Sequence, residues 1–193
     1  MPKLGMEPIR REALVKATIA EIGRARSLDV TVAQIAKRAG MSSALAHHYF
    51  GTKEHIFEAA MRRVMAIFAQ DVRKLLKKAP TPKERVEALI RASFLPSNFE
   101  PAAISAWLQF YVYAQTQGPA KRLLKAYIAR LRSNLIYGLR PMVGPRAEEA
   151  ADLLGALIDG IYIRAALSSD KPNGKVAEAM VVSALNRFIT GKA

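Results

Sequence analysis

Between Thr31 and Lys53 the chain places hydroxyls, imidazoles and an ammonium at short helical spacings: Thr31, Ser42, Ser43, His47, His48, Tyr49 and Lys53. Side chains of these types bind phosphate oxygens and read base edges. Thr31 and Ser43 can donate to phosphate, Tyr49 and His48 can hydrogen-bond its oxygens, and Lys53 can reach a phosphodiester backbone from the head of the next helix. Those contacts would fix register. Direct readout would fall to Ser43, Ala44 and His47, because Ala44 is small enough to let a helix approach and to touch a thymine methyl. The two histidines do not make a metal pair, since neighbouring helix residues diverge by about 100° and no third ligand follows one turn on. No nucleophile stands beside a base and no glycine-rich phosphate loop is present, so neither catalytic residues, a metal nor a cofactor is expected.

The segment that must hold these groups, TVAQIAKRAGMSSALAHHYFGTK, reads as two short helices around one tight turn. Ala33, Ile35, Ala36 and Ala39 keep the inner side of the first helix narrow. Gly40 ends it and Ser42 is a good N-cap for the second, Ser43 to Tyr49. This is a helix-turn-helix, whose second helix turns Ser43, Ala44, His47 and His48 outward and its N-terminal amides toward phosphate. Tyr49 and Phe50 also lie where that helix seals its small core, which makes packing their first role. Lys3, Arg10 and Arg11 read equally as a basic arm or a solvated face, and Lys37 and Arg38 as solvated.

A second group lies further along: Trp107, Phe110 and Tyr111 on one helical stretch, Tyr127 on the next, and Asp159 with Tyr162 on a third. A quaternary ammonium has no hydrogen to donate, so a protein holds it with ring faces, a nearby carboxylate and exclusion of water. Asp159 interrupts an otherwise apolar helix, and a buried carboxylate needs a cation, a partner or a proton. Arg164 points too far round the same helix to be its mate. The bland alternative is that the rings are core and that Asp159 bonds an adjacent helix or a dimer mate.

The chain has 193 residues, 51% of them hydrophobic, with a net charge of +14 and no cysteine, which excludes disulfides and a cysteine zinc site. The charge suits a polyanion. It is not confined to the helix-turn-helix, because eleven basic and six acidic side chains fall in residues 1–63 and nineteen and ten in the remainder. No apolar run reaches a membrane span and no signal-peptide pattern appears, so a soluble, cytoplasmic protein is expected.

Proline and glycine punctuation divides an all-α chain into about nine helices. A helix from Pro8 to Arg24, with Leu14, Ala17, Thr18 and Ile22 inward, makes a three-helix N-terminal domain with the motif. An amphipathic helix from Glu54 to about Lys78 links it to a larger C-terminal helical domain. Further helices are predicted over 83–95, 102–117, 119–139, 145–168 and 175–189, with a break at Pro96–Pro101. The last two read as a hairpin, apolar through Leu154, Leu157, Ile158, Ile161 and Ala165. That hairpin suits a four-helix contact with a symmetry mate, although one buried wholly in its own subunit would have the same composition.

Thr31, Val32, Ile35, Ala36, Ala39, Gly40, Ser42, Tyr49, Phe50 and Lys53 match in order the N-terminal pattern of the TetR family of bacterial repressors, which the chain resembles. It departs at His47, where a tyrosine is frequent, and at Arg26 or Ser27, where a glycine often precedes the motif; base preference therefore does not transfer. The opening MPKLGMEPIRR, AWLQF (Ala106 to Phe110) and ALIDGIYIRAALS (Ala156 to Ser168) are similar to the family's choline-responsive branch, the repressors of glycine betaine pathway genes. The resemblance implies a DNA-binding domain over 1–53, an effector-binding and dimerisation domain over 54–193, a homodimer on double-stranded operator DNA, and choline as the effector. Other cationic or hydrophobic effectors, an enzyme, and a nonspecific basic RNA or membrane binder are the rival readings.

Overall fold

The computed structural model describes residues 6–191. Its elements are α1 (Met6–Ala25), α2 (Val32–Arg38), α3 (Ser43–Phe50), α4 (Lys53–Leu76), α5 (Pro82–Phe94), α6 (Pro96–Phe99), α7 (Pro101–Thr116), α8 (Gly118–Val143) and, after a 3-10 turn at Gly144–Arg146, α9 (Ala147–Leu167) and α10 (Gly174–Thr190). The chain is all-α, as its periodicity predicts. The additional helix is α6, a single turn inside the expected break. Leu95 and Glu100, each followed by proline, are both extended, with ψ 151° and 159°. Pre-proline sterics exclude the helical region there, so α6 is clipped at both ends. Helix α8 runs past Leu139 and through Pro141 before Gly144 takes φ 57°. A proline in a last turn forfeits one backbone hydrogen bond without stopping the helix.

Contacts gather the chain into two compact units, one of residues up to Val64 with Ala102–Lys121, the other of Met65–Pro101 with residues from Arg122 onward. Helix α4 supplies residues to both. In the first unit, α1 buries Leu14, Ala17, Thr18 and Ile22, the predicted stripe, against the helix-turn-helix. The close approach of α1 and α7 needs Gly23, where an added Cβ would stand 2.6 Å from the Ala102 Cβ. In the second unit, α5 packs on α10 and α10 on α9. Arg91 pairs with Glu178 at 2.8 Å across α5 and α10, and Arg132 with Asp152 at 2.6 Å across α8 and α9.

Arg26 sits at φ 50°, the left-handed region that suits glycine. Its carbonyl accepts a 3.1 Å hydrogen bond from Gln109 Nε2, which ties the turn after α1 to α7. Arg26→Gly is expected to stabilise the protein by up to about 1 kcal/mol, the relieved backbone strain exceeding the extra chain entropy of glycine. Thermal unfolding measures this; a lowered midpoint would show that the arginine is not strained.

Candidate DNA-reading head and candidate cation site

Helix α2 starts with a reciprocal capping box: Thr31 Oγ1 accepts from the Gln34 amide at 3.2 Å, and the Gln34 carboxamide accepts from the Thr31 amide at 2.7 Å. It ends in a Schellman turn, with Gly40 N–H on the Lys37 carbonyl at 3.1 Å, Met41 N–H on the Ala36 carbonyl at 2.9 Å and Gly40 at φ 68°. Ser42 then caps α3 by accepting from the Leu45 amide at 3.2 Å. The predicted turn at Gly40 and cap at Ser42 are therefore in place, and Thr31, read as a phosphate donor, is also a helix cap. Thr31 and Ser42 are exposed although their hydroxyls serve the helix ends.

On α3 the only fully buried side chain is Ala46; Ala44, His47 and His48 are exposed and Ser43 is half-buried. The His47 Nδ1 lies 2.9 Å from the Gly51 carbonyl oxygen. A carbonyl only accepts, so Nδ1 carries the hydrogen and a neutral His47 offers Nε2 as an acceptor. Tyr49 is half-buried, and its hydroxyl accepts from Arg10 at 3.3 Å. The Arg11 guanidinium stacks 5.0 Å from the Phe50 ring centroid and pairs with Glu7 at 2.8 Å. Arg10 and Arg11 thus brace α3 against α1 rather than forming a plain solvated face. Lys53, at the head of α4, holds its ammonium 5.2 Å from the Phe57 ring centroid.

Two expectations in this head need correction. Ala33 is exposed, because the inward face of so short a helix holds only Ile35 and Ala36. Arg38 is not simply solvated: it pairs with Glu21 on α1, as does Arg24 at 2.8 Å. Hydrogen bonds from Arg24 and Arg38 hold the buried Glu21 carboxyl below its usual range. This ion pair fixes α2 on α1, and sequence reading missed it because Glu21 lies on the inward face among apolar residues. Lys3, read as part of a basic arm, lies outside the described residues.

In the second unit Tyr127, Asp159 and Tyr162 come together. The negative charge of Asp159 acts on both phenols, and with burial as the leading cause it pushes both above their ordinary value of 10. Both rings are therefore neutral, with their hydrogens in place. The Tyr162 hydroxyl lies within hydrogen-bonding distance of the Ser93 and Asn98 carbonyls, the latter at 3.0 Å. Its ring stands 5.0 Å from Phe99 and 6.1 Å from Phe94, and those two meet edge-on at 5.1 Å. From the same corner Asn98 Nδ2 and Ser97 Oγ donate to Asp71 on α4, at 3.1 and 2.7 Å. A hydrogen-bonded chain so runs from Tyr162 on α9 through α6 to α4.

On α7, in the first unit, Trp107 and Phe110 are buried and Tyr111 is half-buried, with the Trp107 and Tyr111 rings 6.1 Å apart. Among the described residues no group of three or more metal-ligating side chains occurs, and no helix is long and apolar enough to cross a membrane.

Residues 14–60 match the bacterial regulatory proteins of the tetR family, and residues 82–190 match the C-terminal domain of BetI-type transcriptional repressors. The chain belongs to the TetR family. The HTH-type transcriptional regulator BetI of Brucella anthropi is 48% identical over 182 residues, 94% of each chain. BetI of Rhizobium meliloti is 49% identical over 170 residues, 88% of this chain and 84% of that one. A candidate transcriptional regulator from Pseudomonas aeruginosa PAO1 has the same fold, with TM-score 0.81 at 24% identity over 98% of this chain and 94% of that one. So does one from Saccharomonospora viridis, crystallised in complex with choline, with TM-score 0.79 at 22% identity over 94% and 96%.

As a TetR-family regulator with a BetI-type C-terminal domain, the chain is a DNA-binding transcriptional regulator and not an enzyme. Ser43, Ala44, His47 and His48, the residues expected to face DNA, share α3. Of the six residues read as an effector box, Trp107, Phe110 and Tyr111 fall in the first unit and Tyr127, Asp159 and Tyr162 in the second. Phe94, Phe99, Asn98 and Asp71 were missed. The sole signal for the first three was a pair of phenylalanines flanking a proline break, FLPSNF, in a stretch otherwise plain in pattern, and Asp71 on α4 had none.

Proposed function

We propose that this regulator represses genes of the choline to glycine betaine pathway and leaves its operator when choline binds. The observation that carries the reading is that the BetI-type match, residues 82–190, spans the segment holding Tyr127, Asp159 and Tyr162. A carboxylate beside neutral phenol rings is suited to a cation that has methyl groups in place of N–H donors. Functionally the chain divides into a reading head over 1–53 and an effector-binding and dimerisation part over 54–193, acting in the cytoplasm as a homodimer on palindromic DNA. Titrating choline while following operator binding by the full-length protein tests this directly; no release at saturating choline would transfer the role to another cationic or hydrophobic effector.

In the head, Lys53, His48, Tyr49, Thr31 and Ser43 serve the phosphate backbone, Ser42 caps the helix that approaches DNA, and Ser43, Ala44 and His47 read bases. Because Nε2 of a neutral His47 accepts, the base it reads is one that donates in the major groove, a cytosine N4 or an adenine N6. His47→Ala is expected to relax discrimination at one base step by about 1–3 kcal/mol, whereas Lys53→Ala weakens operator and random duplex alike. Binding to a panel of single-base operator variants separates the two; identical losses on every sequence would remove His47 from readout.

A further inference from the structure

Helices α4 and α8 enclose a cavity of about 390 Å³ within the second unit. Its lining is mainly apolar, with Phe68, Val72, Leu123 and Tyr127, and it includes two basic residues, Arg73 and Arg130. Both arginines are exposed, and neither is paired with a carboxylate among the described residues. Arg73 lies in the last turn of α4, where a cation favours the helix end, but Lys74 in the same turn serves that role without lining the cavity. The cavity wall contains no acidic side chain. The cavity shares Tyr127 with the proposed cation site, but Asp159, whose charge acts on that phenol, does not line it, so a choline-like cation here would face two positive side chains with the Phe68 and Tyr127 rings, 5.3 Å apart, and no wall carboxylate.

We propose that this groove is a second ligand site, which takes a single-chain anionic amphiphile of medium length, a carboxylate with an alkyl tail. Arg73 and Arg130 hold the carboxylate at the rim, where guanidinium forks suit its planar oxygens. The tail replaces water along Phe68, Val72 and Leu123. The volume is at the small end of the range for small-molecule sites, about 300–1,000 Å³, which excludes a two-chain lipid. Since Met65 to Leu76 of α4 supplies one wall and α4 begins directly after the reading helix, occupancy bears on the same helix that any effector must move.

The test is calorimetry of the full-length protein with decanoate, octanoate and decyltrimethylammonium, repeated on Arg73→Gln/Arg130→Gln. Decanoate is expected to saturate at one per chain. Octanoate should bind roughly fifteen-fold more weakly, from about fourfold per lost methylene, and decyltrimethylammonium at least tenfold more weakly. The double variant, altered only at exposed positions, should keep its thermal midpoint and its choline binding while losing decanoate affinity at least tenfold. Equal decanoate affinity in the double variant would overturn the proposal. So would uptake of many decanoates per chain, which is the general attraction of a +14 surface, or equal binding of the cationic amphiphile, which is plain partition into grease. A change of oligomeric state in the double variant without decanoate binding would assign the groove to a second copy of the chain instead.

Discussion

Asp159→Asn should abolish choline-induced release of the operator while leaving the affinity of the choline-free protein for DNA within about twofold of wild type. The substitution keeps shape and removes charge. A carboxylate beside neutral rings in a partly buried site contributes on the order of 2 kcal/mol to holding a desolvated cation, about thirty-fold in affinity. Tyr127→Phe, which keeps the ring and removes only the hydroxyl, should cost much less. Release requires that choline bind the DNA-incompetent arrangement more tightly, so operator DNA must weaken choline by the same factor. The trimethyl group is what rings and carboxylate read, and ethanolamine, whose ammonium keeps its water, should be a far weaker inducer. Calorimetry of both amines with wild type and Asp159→Asn decides the matter; equal heats from the two amines would sink the cation site. Trp107, the chain's single tryptophan, reports in the same titration whether α7 responds.

The same experiment tests how the site speaks to the reading head. The Tyr162 hydroxyl bonds the Asn98 carbonyl, and Asn98 and Ser97 bond Asp71 on α4. Asp71→Ala removes the last of these links without touching a phenol or Asp159. Choline should then bind with near-normal affinity but release the operator poorly, which separates binding from coupling. Joint loss of both would mean that Asp71 merely supports the site.

Local grammar was the legible part of this chain. Gly40 and Ser42 are punctuation whose physics is confined to a few residues, and each lies in the structure where its spacing puts it. So does the inward stripe of α1, whereas the capping role of Thr31 went unread. What could not be read depends on partners distant in sequence. Glu21 looks like one more charge on a helix until Arg38, seventeen residues on, is folded against it. Phe94 and Phe99 gain meaning only when α9 brings Tyr162 against them. Periodicity also shows that a helix is apolar over a wide arc without showing which side meets its own core, and α9 is the case in point.

Ile158 and Ile161, expected on a dimer seam, are buried at 3% and 9% exposure within the chain's own core. Glutamate there would place a charge in apolar surroundings, at a cost of several kcal/mol, and unfold the subunit rather than separate two. The hairpin leaves Leu153, Ile163, Leu167, Val176 and Met180 exposed, and of these Val176 at 55% and Met180 at 52% line an open hollow with Leu157, one turn along α9 from Leu153 at 51%. A contiguous apolar surface of this kind is what a helical hairpin offers a second copy of itself. The double variant Leu153→Glu/Met180→Glu is therefore expected to sediment as a monomer, keep its helical signal and thermal midpoint, and lose operator affinity by a factor on the order of 100 or more. That loss arises because two heads on one rigid dimer reach successive major grooves about 34–36 Å apart, whereas a lone head gains nothing from the second half-site. Binding to an isolated half-site should be nearly unchanged, which separates lost avidity from a damaged head. A double variant that sediments and binds the full operator like wild type would remove α9 and α10 from the dimer seam.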